Sequence, residues 1–200
     1  MGPGLASCVA MTMHGASQRD ATTRVVLIGV IGLAVTATLY FVGRAIVNTS
    51  SYSTMGLFGQ TGIGVFRVKS LLATIALGLA IVQVLLALWM YRKLPIAGRP
   101  PKQIGLTHRI IGGVAFVVTL PVAIHCAFAY GVKLTDPRIV VHSIAGCFLY
   151  GAFVAKVLLV QSKRLPGWTL PVAGGILAVL VIVLWYTSAL YYYNGYSVPI

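Results

Sequence analysis

Of 200 residues, 58% are hydrophobic and only 8% are charged, with a mean hydropathy of +0.94, a composition that excludes a soluble globule and points to an integral membrane protein. The acids are Asp20 and Asp136 alone, which excludes chemistry built on paired carboxylates. The net charge of +13 is distributed between apolar segments and is not gathered into a basic arm or a groove-reading motif, so the expected partner is the lipid bilayer and not nucleic acid.

In chain order, residues 1–24 read as a flexible cytoplasmic tail, followed by a single transmembrane helical domain over residues 25–200. The tail has no long apolar core ahead of its polar residues and so is no signal peptide. Leu5-Ala6-Ser7-Cys8 imitates a lipoprotein cleavage box without the charged and apolar lead-in, and reads as coincidence; Met11 and Met13 are alternative starts, and His14 receives no role. A span needs about 20 mostly apolar residues. Five segments qualify: Val25–Val42, extendable to Val47, then Leu71–Trp89, Ile110–Tyr130, Ile139–Val160 and Leu170–Leu190. The expected fold is all-α, a polytopic bundle of five transmembrane helices. Asn48–Phe66, rich in Ser, Thr and Gly, reads as an ordered or membrane-skimming loop. Arg92–Thr107 holds Pro95, Pro100 and Pro101 among basic residues, so it is not expected to be helical throughout and reads as a connection lying against headgroups.

The basic residues set the orientation. Arg19, Arg24, Arg92, Lys93, Arg99, Lys102, Arg109, Lys163 and Arg164 fall on one side, against Arg44, Arg67, Lys69, Lys133 and Arg138 on the other. The richer side faces the cytoplasm, placing the N-terminus inside and the C-terminus outside a cell inner (plasma) membrane. Tyr191, Tyr192 and Tyr193 then form an outer interfacial belt.

Two histidines interrupt this apolar pattern at matching depth. His125 lies in the outer third of the third span and His142 in the outer third of the fourth, and the short Gly131–Asp136 connection makes these spans antiparallel neighbours. Ionisable side chains at membrane depth are costly and mark function. Two imidazoles on facing helices are what a bis-histidine haem requires, one on each face of the iron. Ala145 and Gly146, at i+3 and i+4 from His142, leave room for a flat macrocycle, while Arg138 and Lys133 are placed to meet its propionates. The competing reading has the two histidines hydrogen-bonding across helices, with the same small residues serving helix contacts. A metal-only site lacks a third donor at that depth.

His108, at the inner mouth of the third span, is a candidate ligand for a second haem, with Met90 the one conceivable partner; the alternative is an interfacial His beside Arg109. Lys156, in the inner half of the fourth span, either snorkels to the headgroups or holds a quinone carbonyl or a lipid phosphate. The three cysteines form neither a CxxC pair nor a CxxCH motif, and Cys126 and Cys147 read as small packing residues. The spans are free of carboxylates, so proton-relay pumping by this chain alone is not expected, and the motifs of hydrolases and phosphoryl-transfer enzymes are absent.

One group of residues carries a resemblance: His125-Cys126, His142-Ser143, Gly146-Cys147, the run Tyr150-Gly151-Ala152-Phe153-Val154-Ala155-Lys156, Leu165-Pro166-Gly167-Trp168, and Leu170-Pro171-Val172-Ala173-Gly174-Gly175. With Trp185, Thr187-Ser188-Ala189-Leu190, Tyr191 and, upstream, Lys69, these resemble an uncharacterised bacterial membrane-protein family, domain of unknown function 6529, over most of the chain after the first helix. More loosely, histidines on neighbouring spans resemble those of membrane b-type cytochromes. That looser resemblance implies non-covalent haem b and electron transfer among other membrane redox subunits, quinone, and an exported cytochrome or Rieske protein. Members of that broad group often carry two histidine pairs, whereas this chain has one clear pair, so a two-haem transmembrane wire is not implied. The expected function is electron transfer through one haem near the outer face, as a subunit of a respiratory or redox complex rather than a stand-alone catalyst. A haem-free accessory subunit is the alternative; a membrane reductase of metal ions or an organic radical shares the haem and differs in its acceptor.

Overall fold

The computed structural model describes residues 3–47, 55–95, 98–163 and 165–198, with side chains from Asp20 onward. Five long helices carry the described residues: α1 (Pro3–Ala45), α2 (Ile63–Met90), α3 (Ile104–Ala129), α4 (Pro137–Gln161) and α5 (Thr169–Trp185). α5 continues through a π-helical turn, Tyr186–Leu190, into a last α turn, Tyr191–Tyr193. No strand occurs among the described residues, where the sole bridge pairs Leu57 with Gln60. The five apolar spans are Asp20–Ala45, Ile63–Met90, Ile104–Ala129, Pro137–Gln161 and Thr169–Tyr193. At 1.5 Å per residue each is about 37 Å or longer, enough for a hydrocarbon core of about 30 Å. Val26, Leu27, Val30 and Phe41 on α1, and Val114, Val117 and Ile124 on α3, are exposed and form part of the lipid-facing shell.

Two helix starts differ from the hydropathy reading. α2 begins at Ile63, directly after Gly62 (φ 56°), so Phe66, Arg67 and Lys69 belong to the helix and not to the preceding loop. Between Ile63 and Leu71 only Gly64, in the first turn, disfavours a helix, and the charges lower the hydropathy without opposing helical backbone. α3 likewise begins at Ile104, which brings His108 one turn inside it. α4 starts where a cap dictates: Asp136 Oδ1 accepts from Ile139 N at 3.1 Å, and Pro137 takes the first helical position, where its missing N–H costs nothing.

α2 packs against α3 and α5, and α5 against α4, so these four form a bundle with α1 on the outer side of α4. α3 and α4 meet through rings instead of close backbone approach. Phe116 stacks on Phe153 (centroids 4.0 Å, 11°) and meets Tyr150 edge-on at 5.7 Å, while Tyr150 Oη donates to Thr119 Oγ1 at 3.1 Å. The end of the bundle where α1 ends, α4 begins and the chain finishes is called upper below. The lower end carries the exposed cations Arg24, Arg92, Lys93, Arg99, Lys102, Arg109 and Lys163.

The α1–α4 crossing requires glycine on both sides. A Cβ on Gly32 would stand 2.9 Å from the Gly151 carbonyl oxygen, and one on Gly151 would collide with Gly32 O and Thr36 Oγ1. Close backbone approach of this kind is how membrane helices gain packing energy where lipid offers no hydrophobic drive. At the upper end α1 is also tied to the α3–α4 connection: Val132 N donates to Gly43 O at 2.9 Å and Arg44 Nη1 to Val132 O at 3.2 Å. Gly151→Val is expected to destabilise the protein by about 1–3 kcal/mol through overpacking, read as a lower melting temperature in detergent. Gly29→Ala, where a Cβ meets nothing within 4 Å, is expected to leave that temperature unchanged.

Candidate functional site

The upper half of the bundle collects polar groups from all four of its helices. From α2 comes Lys69, 8% exposed, whose Nζ lies 3.4 Å from Cys126 Sγ and 4.6 Å from the centre of the Tyr130 ring. An ammonium in apolar surroundings needs compensation, and here a ring face and a sulfur supply it. Among the described residues no carboxylate approaches Lys69.

From α3 comes His125, 2% exposed. Its Nε2 sits 2.9 Å from the carbonyl oxygen of Met55. A carbonyl only accepts, so Nε2 carries the proton and Nδ1 the lone pair. That Nδ1 is buried and without a hydrogen-bond partner. From α4 comes His142, half-buried, with Nδ1 2.9 Å from Thr187 Oγ1. The threonine hydroxyl donates its single proton to Val183 O at 2.8 Å, so it accepts from His142 Nδ1–H. The lone pair of His142 is thereby fixed on Nε2, which makes no hydrogen bond among the described residues.

Thr187 itself, 2% exposed, stands in the π turn. Such turns widen a helix locally and recur at functional sites. Arg138 Nη1 donates to the Thr187 carbonyl at 2.9 Å, and its guanidinium lies 3.8 Å from the centre of the Tyr191 ring. Arg138 therefore holds the turn that holds His142.

The other expected site residues are placed as follows. Lys133, in the α3–α4 connection, has its Nζ 5.9 Å from the centre of the Tyr130 ring that also receives Lys69. Gly146 opens toward α5: a Cβ there would stand 3.9 Å from Leu184 Cδ2, while Ala145 is buried with Leu149 and Leu180 in the α4–α5 core. The room beside His142 thus lies on the side of Thr187 and not toward α3. His108 is far from this cluster, 17 positions down α3 from His125, or about 25 Å. Met90, weighed as its partner, is 38% exposed at the end of α2. Cys8 and His14 lie outside the described side chains, as do Arg19 and Arg164.

Sequence reading missed Lys69, Thr187 and the Met55 carbonyl. The unbroken helical register from Ile63 to Leu71 was a signal for Lys69; the other two depend on how distant segments dock. Among the described residues no three His, Cys, Asp or Glu side chains converge on a metal-sized site. The donor set is two imidazoles, each with one unprotonated nitrogen, beside cations that lack carboxylates. It fits a ligand that brings its own donors and negative charge, and haem is such a ligand. His142 fits most closely, because a ligating imidazole characteristically anchors its other nitrogen on a fixed acceptor.

A family model described as a family of unknown function (DUF6529) matches residues 25–200. The chain belongs to this family. The match to DUF6529 spans every residue of the upper cluster, from Lys69 to Tyr191, together with both elements of the α1–α4 glycine crossing. No curated protein and no solved structure matches the chain.

Thr187→Val keeps the shape of the side chain while stranding His142 Nδ1–H and leaving the turn without its hydroxyl. The expected cost is about 1–3 kcal/mol, the price of an unsatisfied buried donor, measured as a lower melting temperature. Ser at the same position is expected to restore most of it.

Proposed function

We propose that the upper cluster holds one b-type haem, with His142 and His125 as axial ligands, and that the chain carries electrons in the membrane as a subunit of a respiratory or redox complex. The observation that carries this reading is the His142–Thr187 pair: it fixes an imidazole tautomer with its free lone pair on Nε2, in the same half of the bundle as a second buried histidine with an orphaned nitrogen. When bound, haem supplies a one-electron couple. The chain supplies the rest. Thr187 orients His142, and Lys69 with Arg138 offset carboxylates that the group brings into a half of the bundle lacking acids other than the capping Asp136. Lys133 stands in the adjoining connection, where propionates would emerge, and the lipid-facing shell excludes water.

The excess of basic residues at the lower end supports a reading in which that end faces the cytoplasm and the haem sits in the outer half of a cell inner membrane. Donors and acceptors reached from there are other membrane redox subunits, quinone, and an exported cytochrome or Rieske protein. A second reading, a haem-free accessory subunit, is favoured by one observation: His125 Nε2 is already engaged by the Met55 carbonyl. A further haem at His108 has little support, because no second histidine accompanies it at the lower end among the residues whose side chains are described.

Reduced-minus-oxidised absorbance spectra and a pyridine haemochrome assay on the purified chain separate the two readings. One b-type haem per chain is expected, lost in His142→Ala and in His125→Ala. Absence of the signal after haem-replete expression would establish the accessory reading in its place.

A further inference from the structure

At the upper rim of the bundle, where α4 begins and the chain turns after its last helical residues, lies an open hollow of about 640 Å³. Asp136, Arg138, Tyr191 and Tyr196 are among its walls. Asp136 is the sole acidic side chain at that end of the chain's spans. Its Oδ1 caps α4 through Ile139 N, and its Oδ2 makes no hydrogen bond among the described residues. Arg138 gives Nη1 to the Thr187 carbonyl and lays its guanidinium on Tyr191, which leaves further N–H donors unengaged among the described residues. An acid and a base thus line one hollow, two positions apart in the chain, without forming an ion pair with each other.

The opposite wall is built under strain. After Tyr193 the backbone turns through Gly195 (φ 64°) and Tyr196 (φ 67°), and Tyr196 N closes the turn on Tyr191 O at 2.8 Å. Glycine adopts this left-handed conformation freely, whereas a bulky residue is forced into it. The turn sets the Tyr196 ring edge-on to Tyr191 at 5.6 Å and to Tyr192 at 6.0 Å, and leaves the residue 49% exposed. Strained residues cluster at binding sites. Here the strain holds an aromatic ring in the same hollow as an open carboxylate oxygen, and both attract a cation.

We propose that this hollow binds the headgroup of a zwitterionic phospholipid with a primary amine, phosphatidylethanolamine. Its ammonium meets Asp136 and the Tyr196 ring, and its phosphate meets the unengaged donors of Arg138. The depth suits a headgroup: Asp136 directly precedes the span Pro137–Gln161, and Tyr191 stands in the last turn of the span Thr169–Tyr193. A ligand that carries both charges satisfies the acid and the base together, which neither does for the other. An anionic headgroup would satisfy Arg138 and set its charge against Asp136. A choline would lie against the aromatic ring and have no N–H to give the carboxylate. Asp136 and Tyr196, which carry the selectivity for the amine, have no part in the haem reading.

The test is native mass spectrometry of the full-length chain released from nanodiscs of equal parts phosphatidylethanolamine, phosphatidylcholine and phosphatidylglycerol, with the retained lipid identified by its mass. Retention of phosphatidylethanolamine ahead of the other two is expected. Asp136→Asn keeps the cap, because asparagine serves an N-cap as well as aspartate does, and removes the charge. Its melting temperature is expected to be unchanged, and its preference for phosphatidylethanolamine over phosphatidylcholine to fall about tenfold, as loss of one charge-assisted hydrogen bond requires. Tyr196→Gly relieves the left-handed backbone while removing the ring, so retained lipid is expected to fall with little change in melting temperature. His142→Ala is expected to retain the lipid as the parent does, which keeps the result independent of the haem reading. A preference unchanged in Asp136→Asn would overturn the proposal. Retention of phosphatidylglycerol ahead of phosphatidylethanolamine in the parent chain, or of no lipid at all, would overturn it equally.

Discussion

The architecture depends on one imbalance: this membrane bundle has cations inside it and almost no acids. Asp136 is spent on capping α4, and Asp20 stands where the first span begins. Lys69, Arg138 and Lys156 must therefore be accommodated by weaker acceptors, and the structure shows which ones are used. Lys69 lies against a tyrosine face and a thiol, and Arg138 against a backbone carbonyl and a second tyrosine. Each arrangement lowers the cost of a buried charge without cancelling it. The protein is rich in donors and poor in acceptors along its interior, and the candidate site lies where Lys69 and Arg138 bring that surplus together.

The stacked Phe116 and Phe153, with Tyr150 bonded to Thr119, lie between the two polar regions. They separate an upper group, built from Lys69, His125, His142 and Thr187, from the polar residues Gln83, His108 and Lys156 nearer the lower end. At that depth α3 and α4 meet through the stacked rings and the Tyr150–Thr119 hydrogen bond.

Much of the fold was legible in the sequence, because a bilayer reduces the problem to counting apolar residues. All five spans were identified, and the two upper histidines stood out by depth. What was lost was lost for physical reasons. The charges of Arg67 and Lys69 depressed hydropathy at the start of α2, so the span was begun at Leu71 and a buried lysine was left outside it. The short connection after α3 correctly made α3 and α4 neighbours, but the sequence could not tell that aromatic rings hold them apart, or that Gly146 opens toward Leu184. Thr187 was invisible as a partner of His142 because the π turn that presents it adds a residue to the helical period, which side-chain periodicity does not anticipate.

The position of α1 has a consequence for how the chain is made. Its glycine seam is complementary to α4, and its upper end is bonded to the segment that joins α3 to α4. α1 thus finds its partner only after α4 has been synthesised. The interval from Gly32 to Gly151 is more than a hundred residues, on the order of ten seconds of translation at ordinary rates. During that time an unpaired glycine face waits in lipid, open to whatever other helix passes. Biogenesis, more than the finished bundle, is where this protein is most exposed to error.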